Sequence, residues 1–174
     1  QINGMGGGTS VTSKVCIISK SLEDNVDIDY LFAQVEVDRE YVDFEPTCGN
    51  MLSAIGPFSI EEGLVRACRE QTNVTVRSIN TGSLTNLLVP TPKGKVIYSG
   101  DFRIDGVPSK GSPILLKFRE LEGKKTGSLF PTNEFTDLID NVHTTCIDLV
   151  NPIVLALAKD FSIEGNETSI QLNK

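Results

Sequence analysis

Met51–Val65 is the segment that most narrows the fold. It carries apolar side chains at Met51, Leu52, Ala54, Ile55, Phe58, Ile60, Leu64 and Val65. At helical spacing these positions fall on all sides of the wheel, so the helix is expected to be enclosed rather than laid on a surface. Pro57 should kink it, because proline removes one amide and clashes with the preceding turn. Almost everything else reads as short extended runs. Ser13–Ser19 and Tyr30–Val37 precede the helix. Val74–Ile79 and Leu84–Val89 flank "NTGS", a turn sequence. Further runs are "KVIYSGDFRI", Ile114–Phe118, Cys146–Leu149 and Ile153–Leu157, with a short helical turn in "AKDFSIEGNE" ending at Gly165. There is no internal repeat and no steady βαβα alternation. The pattern is therefore α+β, with strands wrapped around one buried helix.

Charge narrows the partners. The 174 residues carry a net charge of −7, with 39% hydrophobic and 22% charged residues. That balance argues against nucleic acid or an anionic membrane as the main partner. No stretch is apolar for long enough to suggest a span or a signal peptide. Four scattered cysteines (Cys16, Cys48, Cys68 and Cys146), with no CxxC pair, point to a reducing and hence cytoplasmic setting. A single histidine, His143, leaves no set of metal ligands and no Ser-His-Asp triad, and it reads as a surface or capping residue. The chain opens at "QING" without an initiator Met and ends at "TSIQLNK" in mid-pattern, so it reads as a piece of a longer protein.

The chemistry concentrates at "EPTCGNMLSAIG". Cys48 stands at the mouth of the apolar helix, where the first amides are unpaired and carry partial positive charge. A carboxylate or phosphate can be received there by backbone alone. Gly49 allows close approach, and Asn50 adds an amide side chain. The same amides favour a thiolate at Cys48. Lys14 is the second candidate. It follows "GGGTSVTS", whose small and hydroxylated residues could line a polar pocket. "GMGGGTS" precedes a strand instead of opening a helix and no GxxxxGK[ST] occurs, so nucleotide binding is set aside. Cys16, Cys68 and Cys146 read as core or inert cysteines, and the dispersed lysines as solvated surface.

Taken in order, "QINGMGGGTSVTSKV", "DIDYLFAQVEVD", "CGNMLSAIGPFSIEEGLV", "INTGSL", "GDFRIDGVPSKGSPILLKF", "TGSLFPTNEFTDLID" and "CIDLVNPIVLALAKD" span essentially the whole chain. This series resembles the PrpF family of methylaconitate and aconitate isomerases. The resemblance implies the diaminopimelate epimerase-like fold, in which two similar domains each wrap a mixed sheet around a central helix. On that expectation, residues 1–128 form the N-terminal domain without its first part. Residues 129–174 form a linker and the start of the second domain.

The resemblance further implies a cofactor-independent isomerase that moves the double bond of a small unsaturated tricarboxylate. Lys14 and Cys48 would be the catalytic acid/base pair, with Thr12, Ser13, Gly49, Asn50 and Met51 binding substrate. No metal or organic cofactor is called for, and a homodimer is compatible with it. Oxalomesaconate tautomerase and an amino-acid epimerase of the same fold are alternatives; the epimerase would need a second cysteine opposite Cys48, and the "TSK" lysine speaks against it. A carboxylate-binding or assembly protein is the non-enzymatic alternative. Family members run longer at both ends, so this piece alone is expected to have little activity. Asn3 and Ser109 stand where the family has aspartate and glycine.

Overall fold

The computed structural model describes Thr9 and residues 11–119, 121–149 and 151–173; the glycine-rich loop before Thr9 and Ser10 lie outside the described residues. The chain divides into two compact units, Gln1–Glu120 and Leu121–Lys174.

The first unit is built on a six-stranded sheet. Its strands are β1 (Lys14–Lys20), β2 (Ile28–Val35), β3 (Val42–Asp43), β4 (Glu70–Ser78), β5 (Leu84–Thr91) and β6 (Leu115–Phe118). They run in the order β1-β2-β4-β5-β6, with β3 beside β2. All pairings are antiparallel except β2 with β4, which is parallel and covers only Ile28–Tyr30 against Val76–Ser78. The expected hairpin about "NTGS" forms as β4–β5, with Gly82 at φ +70° in its turn, a conformation that glycine adopts freely. α+β is thus the observed class.

Helix α1 (Gly49–Glu61) lies against this sheet. Its buried residues Leu52, Ile55, Gly56 and Ser59 recur at helical spacing and form one face. Gly56 lets that face come close. A Cβ there would stand 2.6 Å from Val89 Cγ2 and 3.3 Å from Leu87 Cδ1, both on β5. The core joins Leu52 and Ile55 to Ile28, Tyr30 and Phe32 of β2, Val74 and Val76 of β4, and Leu87 and Val89 of β5.

Two expectations need correction. The helix is one-sided in this chain, not enclosed: Phe58 is 52% exposed and Ala54 is also exposed. Pro57 lies buried within this helix. "KVIYSGDFRI" forms no strand. Its apolar alternation meets no partner edge beyond one bridge between Phe102 and Gly111, and Ile97, Tyr98, Phe102 and Ile104 remain exposed. Cys68 is exposed, which leaves the inert one of its two expected readings.

The second unit is a three-stranded antiparallel sheet of β7 (Asp137–Ile139), β8 (Val142–Leu149) and β9 (Asn151–Ala156). A two-residue turn joins β7 to β8, and both its residues, Asp140 and Asn141, have positive φ as a tight hairpin of this twist requires. The segment after Leu121 is fastened to β8. Glu122 bridges Leu149, the Gly123 amide donates to Asp148 O at 2.9 Å, and the Asp148 amide donates to Leu129 O at 2.8 Å. The Asp148 side chain is fully buried. Its Oδ2 accepts from the amides of Lys125 (2.8 Å) and Thr126 (2.7 Å) and from the Thr126 hydroxyl (2.9 Å).

Beyond β9, the helical turn expected in "AKDFSIEGNE" occupies Ala158–Phe161 and closes at Ser162 in the left-handed conformation. A last short helix, α2 (Ser169–Leu172), follows a capping box made by Thr168 and Gln171. Among the described residues no helix is long and apolar enough to cross a membrane.

Candidate active site

Strand alternation sets the direction of Lys14. Along β1, Lys14, Cys16 and Ile18 are half-buried while Val15, Ile17 and Ser19 are exposed. Period-2 geometry therefore puts Lys14 and Cys16 on one face, and Cys16 and Ile18 pack against the core. Two registers then fix how far Lys14 lies from the helix mouth. Lys14 pairs with Gln34 of β2, and Gln34 pairs with Asp43 of β3. From Asp43 the chain runs directly through Phe44–Thr47 into Cys48.

Cys48 is the N-cap of α1. Its extended backbone (φ −136°, ψ 107°) is the conformation an N-cap needs, yet its side chain makes no capping hydrogen bond. Instead Lys14 Nζ donates to Cys48 Sγ at 3.6 Å. The structure thus brings together the two residues singled out as an acid/base pair. Behind the thiol, the Leu52 amide donates to Cys48 O at 3.1 Å and starts the helix. The amides of Gly49, Asn50 and Met51 have no backbone acceptor among the described residues, as the first turn of any helix leaves them. No acidic side chain sits in that turn to occupy them. A Cβ on Gly49 would touch only Phe118 Cζ at 3.5 Å, an ordinary contact, so the protein's own packing does not demand glycine there.

Thr12 and Ser13 lie in the turn that enters β1. The Thr12 and Ser13 amides donate to Thr9 O, and the Thr12 hydroxyl pairs with that of Thr9 at 2.9 Å. Ser13 is held by its carbonyl, which accepts from the Val35 amide (2.9 Å) and from Gln34 Nε2 (3.0 Å). These bonds hold the turn that leads into Lys14. His143 is exposed on β8, paired across the hairpin with Leu138. Among the described residues no three His, Cys, Asp or Glu side chains gather as metal ligands.

Sequence reasoning missed two neighbours of the pair. Tyr30, fully buried on β2, directs its hydroxyl towards Cys48 O at 3.5 Å. Burial pushes its phenol well above the ordinary value, and the nearby Cys16 adds to the rise. The Cys16 thiol is itself pushed up to about 11, by burial first and by the proximity of Cys48 second, against a hydrogen bond with Tyr30. Both groups stay protonated and neutral at neutral pH, so the floor beneath Cys48 adds no charge to it. The signal for Cys16 was present in the sequence, since it stands two positions from Lys14 on a strand.

A family model described as PrpF protein matches residues 1–174. The chain belongs to the PrpF family. It is 46% identical over 167 residues to a 4-oxalomesaconate tautomerase of Pseudomonas putida, covering 96% of this chain and 46% of that protein. It is 44% identical over 167 residues to a (4E)-oxalomesaconate Delta-isomerase of Novosphingobium sp., covering 96% and 47%. The fold matches a crystal structure of methylitaconate-delta-isomerase with a TM-score of 0.84 at 37% identity, over 96% of this chain and 44% of that one. This PrpF chain therefore spans about half the length of the curated relatives it matches.

Proposed function

We propose that the protein to which this chain belongs is a cofactor-independent isomerase that shifts the double bond of a small unsaturated polycarboxylate, with Lys14 and Cys48 exchanging the protons. The observation that carries this reading is the 3.6 Å contact between Lys14 Nζ and Cys48 Sγ at the open N-terminus of α1. Moving a double bond takes one proton from the allylic carbon and returns one to the far end of the alkene, with no net change in electrons. Two groups that trade a proton readily, held side by side, suit that exchange, and acid and base swap roles with the direction of reaction. A substrate carboxylate received by the Gly49, Asn50 and Met51 amides would gather negative charge as the proton leaves, where the helix end favours it. The diaminopimelate epimerase-like architecture belongs to the same proposal, with α1 as the central helix of the first domain.

Relatives named for oxalomesaconate and methylitaconate make an unsaturated di- or tricarboxylate the class to test, with methylaconitate and aconitate beside them. The test is proton NMR in D₂O with oxalomesaconate, 2-methylaconitate, and cis- and trans-aconitate, using this chain and the longer protein in parallel. Isomer interconversion with deuterium uptake is expected from the longer protein. Cys48→Ser and Lys14→Met should each lower it by at least about a hundredfold, the scale of a lost general acid or base. Exchange that survives both substitutions would sink the assignment.

A further inference from the structure

Strand β2 has a gap on one edge. β4 pairs with it only over Ile28–Tyr30, the Ile79 amide extends that ladder to Tyr30 O at 2.8 Å, and β3 pairs only with Gln34 and Val35. Phe32 lies between them, 1% exposed, where no strand runs. The side chain of Asn80 fills the gap. The Phe32 amide donates to Asn80 Oδ1 at 2.9 Å, and Asn80 Nδ2 donates to Phe32 O at 2.8 Å. One side-chain amide thus replaces the two backbone bonds that a neighbouring strand residue would make.

Nδ2 carries a second hydrogen, and it goes elsewhere. It is donated to Phe44 O at 2.6 Å, on the segment that leaves β3 for Cys48. Asn80 therefore ties β2, which sets the register of Lys14, to the lead-in of Cys48. Lys14 and Cys48 are far apart in sequence, and β3, through which the register reaches Cys48, is only two residues long. A pairing so short holds its continuation weakly, whereas a bond to a buried strand holds it at a fixed height.

We propose that Asn80 is a positioning residue of the Lys14–Cys48 pair: its hydrogen bonds go to the backbone of Phe32 and Phe44, and through that backbone it sets the pair's separation. The inference rests on that pair being the reactive centre, and the experiment separates the two claims without needing turnover. Alkylation rates of Cys48 and of the exposed Cys68 are measured by peptide mass spectrometry at low ionic strength, with anionic iodoacetate and with neutral iodoacetamide. An ammonium 3.6 Å from Sγ should favour the anionic reagent at Cys48 over Cys68 by about fivefold. Lys14→Met should abolish that preference; if it does not, the pair itself is wrong and the inference falls with it.

Asn80→Ala and the near-isosteric Asn80→Leu should cut the preference to below about twofold with Lys14 intact, since a displaced thiol loses the close charge. Mere loosening of the fold would raise both reagents' rates together and leave their ratio alone. Slow alkylation of Cys16 and a cooperative thermal transition report that each variant is folded. Folded Asn80 variants that keep the full preference would overturn the proposal. So would unfolding of both, which would make Asn80 a determinant of stability instead.

Discussion

Cys48 occupies a position that helices ordinarily give to serine, threonine, aspartate or asparagine. Its backbone is in the N-cap conformation and its side chain caps nothing, while the first turn holds no acid. Cys48→Asp should therefore raise stability by about 1 kcal/mol, read as a higher urea midpoint, while removing the thiol from the site. An unchanged or lowered midpoint would mean that the helix mouth is satisfied in some other way. Cys16 makes the opposite kind of prediction. Its thiol is raised from 9.0 to about 11 by burial and by Cys48, so its contribution to stability is complete below pH 9 and lost as pH rises towards 11. Tyr30, also raised, acts in the same direction at still higher pH. Stability followed from pH 8 to 11 should fall less steeply in Cys16→Ala than in the unaltered protein.

At the scale of elements, α1 depends on its closest approach to the sheet. Gly56→Ala gains about 1 kcal/mol of helix propensity but sets a methyl 2.6 Å from Val89 Cγ2 on a stiff β-branched side chain. The clash should win, for a net loss of about 1–2 kcal/mol in urea unfolding. Strongly patterned elements were legible in the sequence: β1, β2, the β4–β5 hairpin, β6 and α1 all lie within a few residues of where period and turn chemistry put them. The enclosed helix was not, because a wheel records which faces are apolar and not what covers them. "KVIYSGDFRI" misled for a related reason, since alternation marks a strand only where a partner edge is available. β7 was overlooked because three residues, Asp137–Ile139, are too few to show any period.

For the molecule as a whole, each unit depends on its own polar anchor. In the second unit that anchor is Asp148. Burial would raise its carboxyl, but the hydrogen bonds from Thr126 and Lys125 outweigh it and hold the group below its ordinary 3.8. Its contribution is thus present above pH 3.8 and lost as acid brings the folded carboxyl to its lowered titration point. Asp148→Ala leaves the Lys125 and Thr126 amides without an acceptor, so tryptic cleavage after Lys124 and Lys125 should accelerate while cleavage after Arg77 does not.

The residue pair at the candidate site was legible from "TSK" and "CGN". The means by which the fold joins them was not, because Asn80 acts through two carbonyls and one amide and leaves no periodic trace. That joining has an arithmetic consequence. Lys14 faces inward because every second residue of β1 does, and β1 is pinned residue by residue to β2. One uncharged residue inserted between Lys14 and Cys16 would turn the lysine outward while leaving "TSK" and "CGN" intact. Two inserted residues would turn it back, displaced along the strand. Keeping the contact with Cys48 therefore fixes both the parity and the length of this edge of the sheet, since a strand rises about 3.3 Å per residue.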